Sequence, residues 1–433
     1  MIENITDNKW GISKEAFISK YPLISDVILD RTLNYLAKKS NIILFPETIA
    51  ESEDLEEDSK IIETYNSELK TGNIVGFIGK GNEQLIVRSR FSKGDDDYFL
   101  YYMLKKVLNI NLANLPIGIS FEDQIYKLLC YVFPHFLKNA LKKGLYREYR
   151  RFNYNDNCVR GSIDVSRHIR NNVPFLGQIA YSTRELTTDN RVIHLIRHTI
   201  DFLSQSETSK HVLYVDRETR NFVDKIIENT TNVQFVDRFR IIQENRNNPV
   251  RHPYYHEYLS LQKLCLMILE GKKHGFDIEG EQMYGILFDV SWLWEEYLNC
   301  LLEGLFIHPE NKKRKQGISL FKDKQRTVFP DFYNVNKKIV LDAKYKNLIG
   351  KSIVREDLYQ IISYLHVLEF ETAGVVSPSK EERGRIFIGN LAGFGGEIFK
   401  FPFYIPQNCK SFEEFEEKIE LVESQFISEM TSS

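Results

Sequence analysis

Residues 329–346 read FPDFYNVNKKIVLDAKYK. Two strand-like halves flank a polar turn, so the stretch reads as a β-hairpin. Side chains alternate faces along a strand, which puts Val340, Asp342 and Lys344 on one face. Closing the hairpin over Val335-Asn336 pairs residue 334 with 337 and sets Asp331 opposite Val340. Asp331 is then a diagonal neighbour of Asp342, roughly 7–8 Å away and within reach of one shared metal ion. A four-residue loop keeps the same parity. A three-residue loop or a bulge breaks it.

Two carboxylates and a lysine so placed have a specific use. The hard oxygens of Asp331 and Asp342 suit Mg²⁺, or Mn²⁺ in its place, an ion that keeps several of its waters. Such an ion acidifies a bound water and polarises a phosphoryl oxygen. Lys344 is suited to orient that water and to stabilise developing negative charge. The chemistry to expect is metal-dependent phosphodiester hydrolysis. The rival is chance, because D-x-K triplets are common.

The flanks argue against chance. Pro330 precedes the first aspartate, and Ile339-Val340-Leu341 leads into the second. The preceding helix, DVSWLWEEYLNCLLEGL (289–305), carries Glu295 and Glu296. Either suits a further metal ligand, and a solvated acidic pair is the alternative; helix phase does not choose between the two residues. The following helix, REDLYQIISYLHVLEF (355–370), places Leu358, Ile361, Ile362, Leu365 and Leu368 on one side. Its Gln360 and Tyr364 lie one turn apart on a shared face. They are placed to touch a substrate backbone, to brace the metal site, or to be ordinary polar positions of a half-buried helix. TAGVVSP (372–378) and GRIFIGN (384–390) are strand-like, and a capping box, Ser411 to Glu414, opens a last helix.

Working outward, the expected organisation is multi-domain α/β, of the α+β kind. A mixed α/β region covers 1–115, a mainly helical one 116–275, and an α/β sheet domain 276–433, its elements in the order α-β-β-α-β. The middle region contains FEDQIYKLLCYVFPHFLKNALKKGL (121–145), VIHLIRHTIDFLSQ (192–205) and YLSLQKLCLMILEGKK (258–273), separated by a loop-rich stretch. There Lys138, Lys142, Lys143, Arg147, Arg150, Arg151 and Arg160 gather around Tyr146, Tyr149 and Tyr154. Basic residues interleaved with aromatics suit a nucleic-acid strand, though a solvated, charged helix end explains the same residues. His194 and His198 have i,i+4 metal-ligand spacing but lack the glutamate of HExxH, and read as structural. In the N-terminal region, NIVGFIGKGNEQLIVRSRF (73–91) reads as two strands turning at 79–82, and lacks the GxxxxGK[ST] spacing of a phosphate loop. ETIAESEDLEED (47–58) is an acidic run, read as a solvated face or a docking patch for a basic partner.

The 433 residues exceed one compact core, and a net charge of −3 argues against a general DNA-coating role. A local basic groove remains compatible with that charge. The cysteines, Cys130, Cys158, Cys265, Cys300 and Cys409, are scattered and odd in number. They support no disulfide framework, zinc ribbon or Fe–S cluster and read as buried thiols in a reducing cytosol. MIENITDNKWGISK has no signal-peptide pattern, and no apolar run approaches the roughly 18 residues of a membrane span. The expectation is a soluble, cytoplasmic protein with no membrane partner.

PDF (330–332), VLDAKYK (340–346) and DLYQIISY (357–364) together resemble the PD-(D/E)xK nucleases. More narrowly they resemble McrC, the nuclease subunit of McrBC modification-dependent restriction systems, and the related LlaJI-type subunits. LWEEYL (293–298) is similar to the LFE-type helix of that group and places Glu295 at its glutamate. RGSIDVSRHI (160–169) and ELTTDNRVIHLI (185–196) resemble its RGxID and TxDxxxN-type segments. The likeness spans roughly residues 145–370. It implies a restriction-endonuclease-like domain with catalytic Asp331, Asp342, Lys344, Glu295 and Gln360, of which Asp331, Asp342 and Glu295 bind Mg²⁺. It also implies DNA as substrate, a role in phage defence, and a separate McrB-like AAA+ GTPase as partner, with 47–58 and 73–91 as candidate motor-facing segments. The alternatives are a RecB-like exonuclease, a CRISPR-adaptation-type nuclease, or a non-cleaving scaffold for the motor.

Overall fold

A computed structural model describes residues 5–46, 59–92, 97–108, 121–207, 209–230, 237–271, 283–309, 317–323, 325–393 and 395–431. The acidic run at 47–58 lies outside the described residues. The chain is mixed α/β and forms two compact units, one from residues 1–124 with 276–433 and the other from 125–275. Segments expected to be successive are thus regrouped, the first and the third sharing a unit.

The sheet of the first segment shows the regrouping directly. Its strand order is Ile5–Thr6, Glu83–Arg88, Ile74–Lys80, Tyr284–Asp289, Asn41–Phe45. Tyr284–Asp289, from the expected third domain, is wedged between two N-terminal strands, antiparallel to one and parallel to the other. Its apolar run YGILF is buried throughout, as a central strand requires. Gly76 lets the backbones approach: with φ at 133°, a Cβ there would lie 2.1 Å from the Ile286 carbonyl oxygen. The 74–80/83–88 hairpin turns at Gly81-Asn82, with Gly81 in the left-handed region. Ile24, Ile28, Leu36, Ile62, Leu69, Ile78 and Leu85 pack in its core.

The second sheet of this unit runs Phe332–Asn334, Ile339–Ala343, Thr372–Ser379, Glu397–Tyr404, Ile386–Asn390. The three middle strands are parallel and both edges antiparallel. Helix Arg355–Leu368 covers one face, burying Ile361, Tyr364 and Leu365 with Val340, Ala373, Val375 and Ile398. On the other, Trp294 and Tyr297 of helix Val290–Leu302 pack their rings on Phe403. That helix follows strand Tyr284–Asp289 without a loop, because Asp289 caps it through the amides of Ser291 and Trp292. The two sheets therefore share a rigid strand–helix junction.

The unit of 125–275 is built on helices Phe121–Leu141, Arg191–Ser204, Arg217–Glu228, Arg238–Asn247 and Glu257–Gly271. The stretch read as loop-rich is instead a three-stranded antiparallel sheet, Glu148–Asp156, Ile179–Thr187 and Ser162–Ile163, with a short helix at Val165–Asn171. Most of the outer strand is exposed, so its sequence lacks the apolar alternation that marks a half-buried strand. None of the five cysteines is in a disulfide, and Cys158 and Cys300 are exposed rather than buried. No described helix is long and apolar enough to cross a membrane.

Candidate active site

Phe332 pairs with Leu341, Tyr333 with Val340 and Asn334 with Ile339, so the hairpin closes over four residues, not two. Lys338 takes the left-handed conformation, φ 52°, and the Asn334 side chain accepts from the Lys337 amide. Parity survives, but the register shifts. Asp331 falls level with Asp342 rather than diagonal to it, and its Oδ2 accepts a 2.6 Å hydrogen bond from the Ala343 amide.

Asp342 is buried, on the side of the sheet that packs against helix Arg355–Leu368. Lys344 Nζ donates to its Oδ1 at 3.1 Å. The same nitrogen lies 3.0 Å from Oδ2, but at an angle that makes no hydrogen bond, so that buried oxygen lacks a donor. Nζ also donates to Gln360 Oε1 at 3.2 Å. Gln360 Nε2 donates to the Tyr364 hydroxyl, which donates to the Phe329 carbonyl oxygen. A single hydrogen-bonded chain thus runs from Asp342 through Lys344, Gln360 and Tyr364 to the backbone preceding Asp331.

Glu295 and Glu296 separate clearly. Glu296 bonds within its own helix to Asn299, whereas Glu295 lies near enough to Asp331 to raise its pKa. Burial first, then the negative charge of Glu295, pushes Asp331 up to about 7. Burial first, then Asp331, pushes Asp342 up to about 7. Burial pulls against the charged form of Lys344, but Asp342 and Asp331 outweigh it and hold the ammonium above its usual range. The site concentrates negative charge beyond what one lysine balances, with an unbonded carboxylate oxygen in its interior. That is the electrostatic condition of a cation site.

Among the described residues no group of three His, Cys, Asp or Glu side chains is placed to hold a metal ion. Mg²⁺ does not require such a group, since it is held by one or two carboxylates while its other positions go to water and phosphate. Asp331 and Asp342 fit that description.

His308 is a member of this site that the sequence did not disclose. Its Nδ1 lies 2.7 Å from the Asp331 carbonyl oxygen, its Nε2 lies 3.8 Å from Glu295 Oε1, and its ring stacks on Phe332. The signal available was only a lone histidine before a proline.

The other candidates sit elsewhere. His194 bonds Asp189 and His198 is buried, its basicity lowered by burial. Of the basic cluster, Lys138, Lys143 and Arg150 are in ion pairs with Asp216, Glu257 and Asp189, and Tyr146 is buried in the core. Arg151 and Arg184 instead face each other across two strands on an exposed surface, with Arg184 over the ring of exposed Tyr149.

Comparison with known proteins gives three findings. No curated protein matches the chain. Two solved assemblies are similar at 16% identity. One is the half-complex from the tetradecameric assembly of Thermococcus gammatolerans McrB AAA+ hexamers with bound McrC (97% of this chain, 99% of that one, TM-score 0.48). The other is the Thermococcus gammatolerans McrBC complex (69% and 86%, TM-score 0.32). The sequence profile of the McrBC 5-methylcytosine restriction system component matches residues 69–377, which include the hairpin, the Glu295 helix and the Gln360 helix. That match takes in most of the 433 residues, and the chain belongs to the McrBC family of restriction system components.

Proposed function

We propose that this chain is the DNA-cleaving subunit of a McrBC-type restriction complex, a Mg²⁺-dependent endonuclease of PD-(D/E)xK type. The observation that carries the reading is the buried Asp331–Asp342 pair with Lys344 bonded between Asp342 and Gln360. Asp331 and Asp342 would hold Mg²⁺, or Mn²⁺, with Glu295 directly or through water. When bound, the ion supplies an acidified water and polarisation of the scissile phosphoryl group.

The residues do the rest. Lys344, whose Nζ is bonded to Asp342 and Gln360, is placed to donate hydrogen bonds to the attacking water and to the charge that grows on phosphorus-bound oxygen. Gln360 holds the ammonium, and Tyr364 anchors Gln360 against the Phe329 carbonyl, which limits where Nζ can swing. The Ala343 amide fixes the rotamer of Asp331.

Membership of the restriction family, together with the missing phosphate-loop motif, supports a partner that supplies the energy, a McrB-like AAA+ GTPase. Cleavage of methylated and unmethylated DNA is measured with Mg²⁺, that partner and GTP. Asp342→Ala and Lys344→Ala are each expected to reduce the rate at least about a hundredfold, in the range lost when charge-stabilising groups are removed. Unchanged cutting by both variants overturns the site, and a wild-type complex that never cuts leaves the scaffold reading.

A further inference from the structure

His308 touches two of the three carboxylate-bearing segments at once. After helix Val290–Leu302 the chain turns at Gly304 and docks on the outer edge of strand Phe332–Asn334. Ile307 and Tyr333 exchange backbone hydrogen bonds of 2.8 and 3.0 Å, and the Asn334 side chain donates to the Leu305 carbonyl oxygen. This docking delivers His308 to the side of Asp331. A carbonyl oxygen only accepts, so Nδ1 of the imidazole carries the hydrogen in its 2.7 Å bond to Asp331. Nε2 is thereby left facing Glu295. Stacking on Phe332, with ring centroids 4.8 Å apart and planes 24° apart, fixes the ring between them. From the opposite side, Tyr364 grips the Phe329 carbonyl. The segment Phe329-Pro330-Asp331 is therefore held at both ends, by one residue of the known-type motif and by one outside it.

We propose that His308 is the positioning residue of the metal site, setting where Asp331 stands relative to Asp342. The proposal rests on the metal-dependent reading above. His308 bonds the backbone of Asp331, leaving the carboxylate to the cation. It acts on cation affinity through placement, in the manner of residues that orient metal ligands from behind.

The test measures Mn²⁺ binding to the full chain by calorimetry, beside cleavage by the assembled complex. His308→Phe keeps the stacking ring and removes the donor. It is expected to weaken Mn²⁺ binding about tenfold and to raise the Mn²⁺ needed for half-maximal cleavage by a similar factor. His308→Asn returns an amide donor at the position of Nδ1 and is expected to bind within about threefold of wild type. If His308→Phe does not fold, His308→Gln serves in its place. Its amide nitrogen falls at the position of Nε2, so the Asp331 bond is lost and the same weakening is expected. Wild-type affinity in a folded Phe or Gln variant, when Asp342→Asn has lost binding, overturns the role of His308. Wild-type affinity in Asp342→Asn as well overturns the metal reading itself.

Discussion

Asp331 and Asp342 are each held near neutrality by burial and by neighbouring negative charge, and this has a cost when no cation is present. A carboxyl whose pKa rises on folding keeps in the folded state a proton that the unfolded chain loses above the ordinary aspartate range. Stability of the cation-free chain therefore falls as pH climbs from about 4 to about 7. Asp342→Asn removes one of the two charges. In EDTA at pH 8 the variant is expected to be more stable than wild type, by on the order of 1–3 kcal/mol, with the gap closing at pH 5. Thermal melts at the two pH values decide it; a wild type more stable at both would remove the strain argued for this pair. Much of this pair was legible. Parity along IVLDAKYK follows from the sequence, whereas register does not, because it depends on Lys338 adopting a left-handed backbone that few side chains other than glycine, Asn and Asp take. His308 was not legible at all. Its place is set by a long-range edge pairing, and nothing local in Ile307-His308-Pro309 announces it.

Among the elements, some helices announced themselves, whereas helices Arg217–Glu228 and Arg238–Asn247 and the exposed strand Glu148–Asp156 did not. Arg191–Ser204 and Arg355–Leu368 carry apolar stripes at helical spacing, and each buries that stripe. Strand Glu148–Asp156 reads EYRRFNYND, polar on both faces, and is a strand only because Ile179–Thr187 pairs with it residue for residue. That pairing sets Arg151 directly across from Arg184, an arrangement that repels unless an anion lies over it. Tyr149 beside the pair offers a stacking surface. This narrows the nucleic-acid contact expected over 138–160, since Lys138, Lys143 and Arg150 are already paired. Arg151→Glu/Arg184→Glu is expected to weaken DNA binding by about tenfold or more at 50 mM salt and much less at 300 mM. Equal affinity at both salt concentrations would return the two arginines to an ordinary solvated face.

At the scale of the whole molecule, the sequence yielded three successive segments where the structure has two units, one of them discontinuous. The reason is that Tyr284–Asp289 looks like any buried strand, and its neighbours, Ile74–Lys80 and Asn41–Phe45, lie far back in the chain. A fragment of residues 276–433 keeps the whole hairpin but strands this apolar segment without partners on either side. It is expected to aggregate or to lack a cooperative melt by circular dichroism, whereas the full chain unfolds cooperatively; a fragment that melts sharply and binds Mn²⁺ would show that the N-terminal sheet is dispensable. The wedge also imposes an order of events during synthesis. Asn41–Phe45 and Ile74–Lys80 leave the ribosome early and wait with open edges until the entire 125–275 unit has been made. Only then does Tyr284–Asp289 emerge to join them, and the Glu295 helix follows in the same continuous piece of chain. Assembly of the candidate site is thereby deferred until late in translation, after the whole of the 125–275 unit has been made.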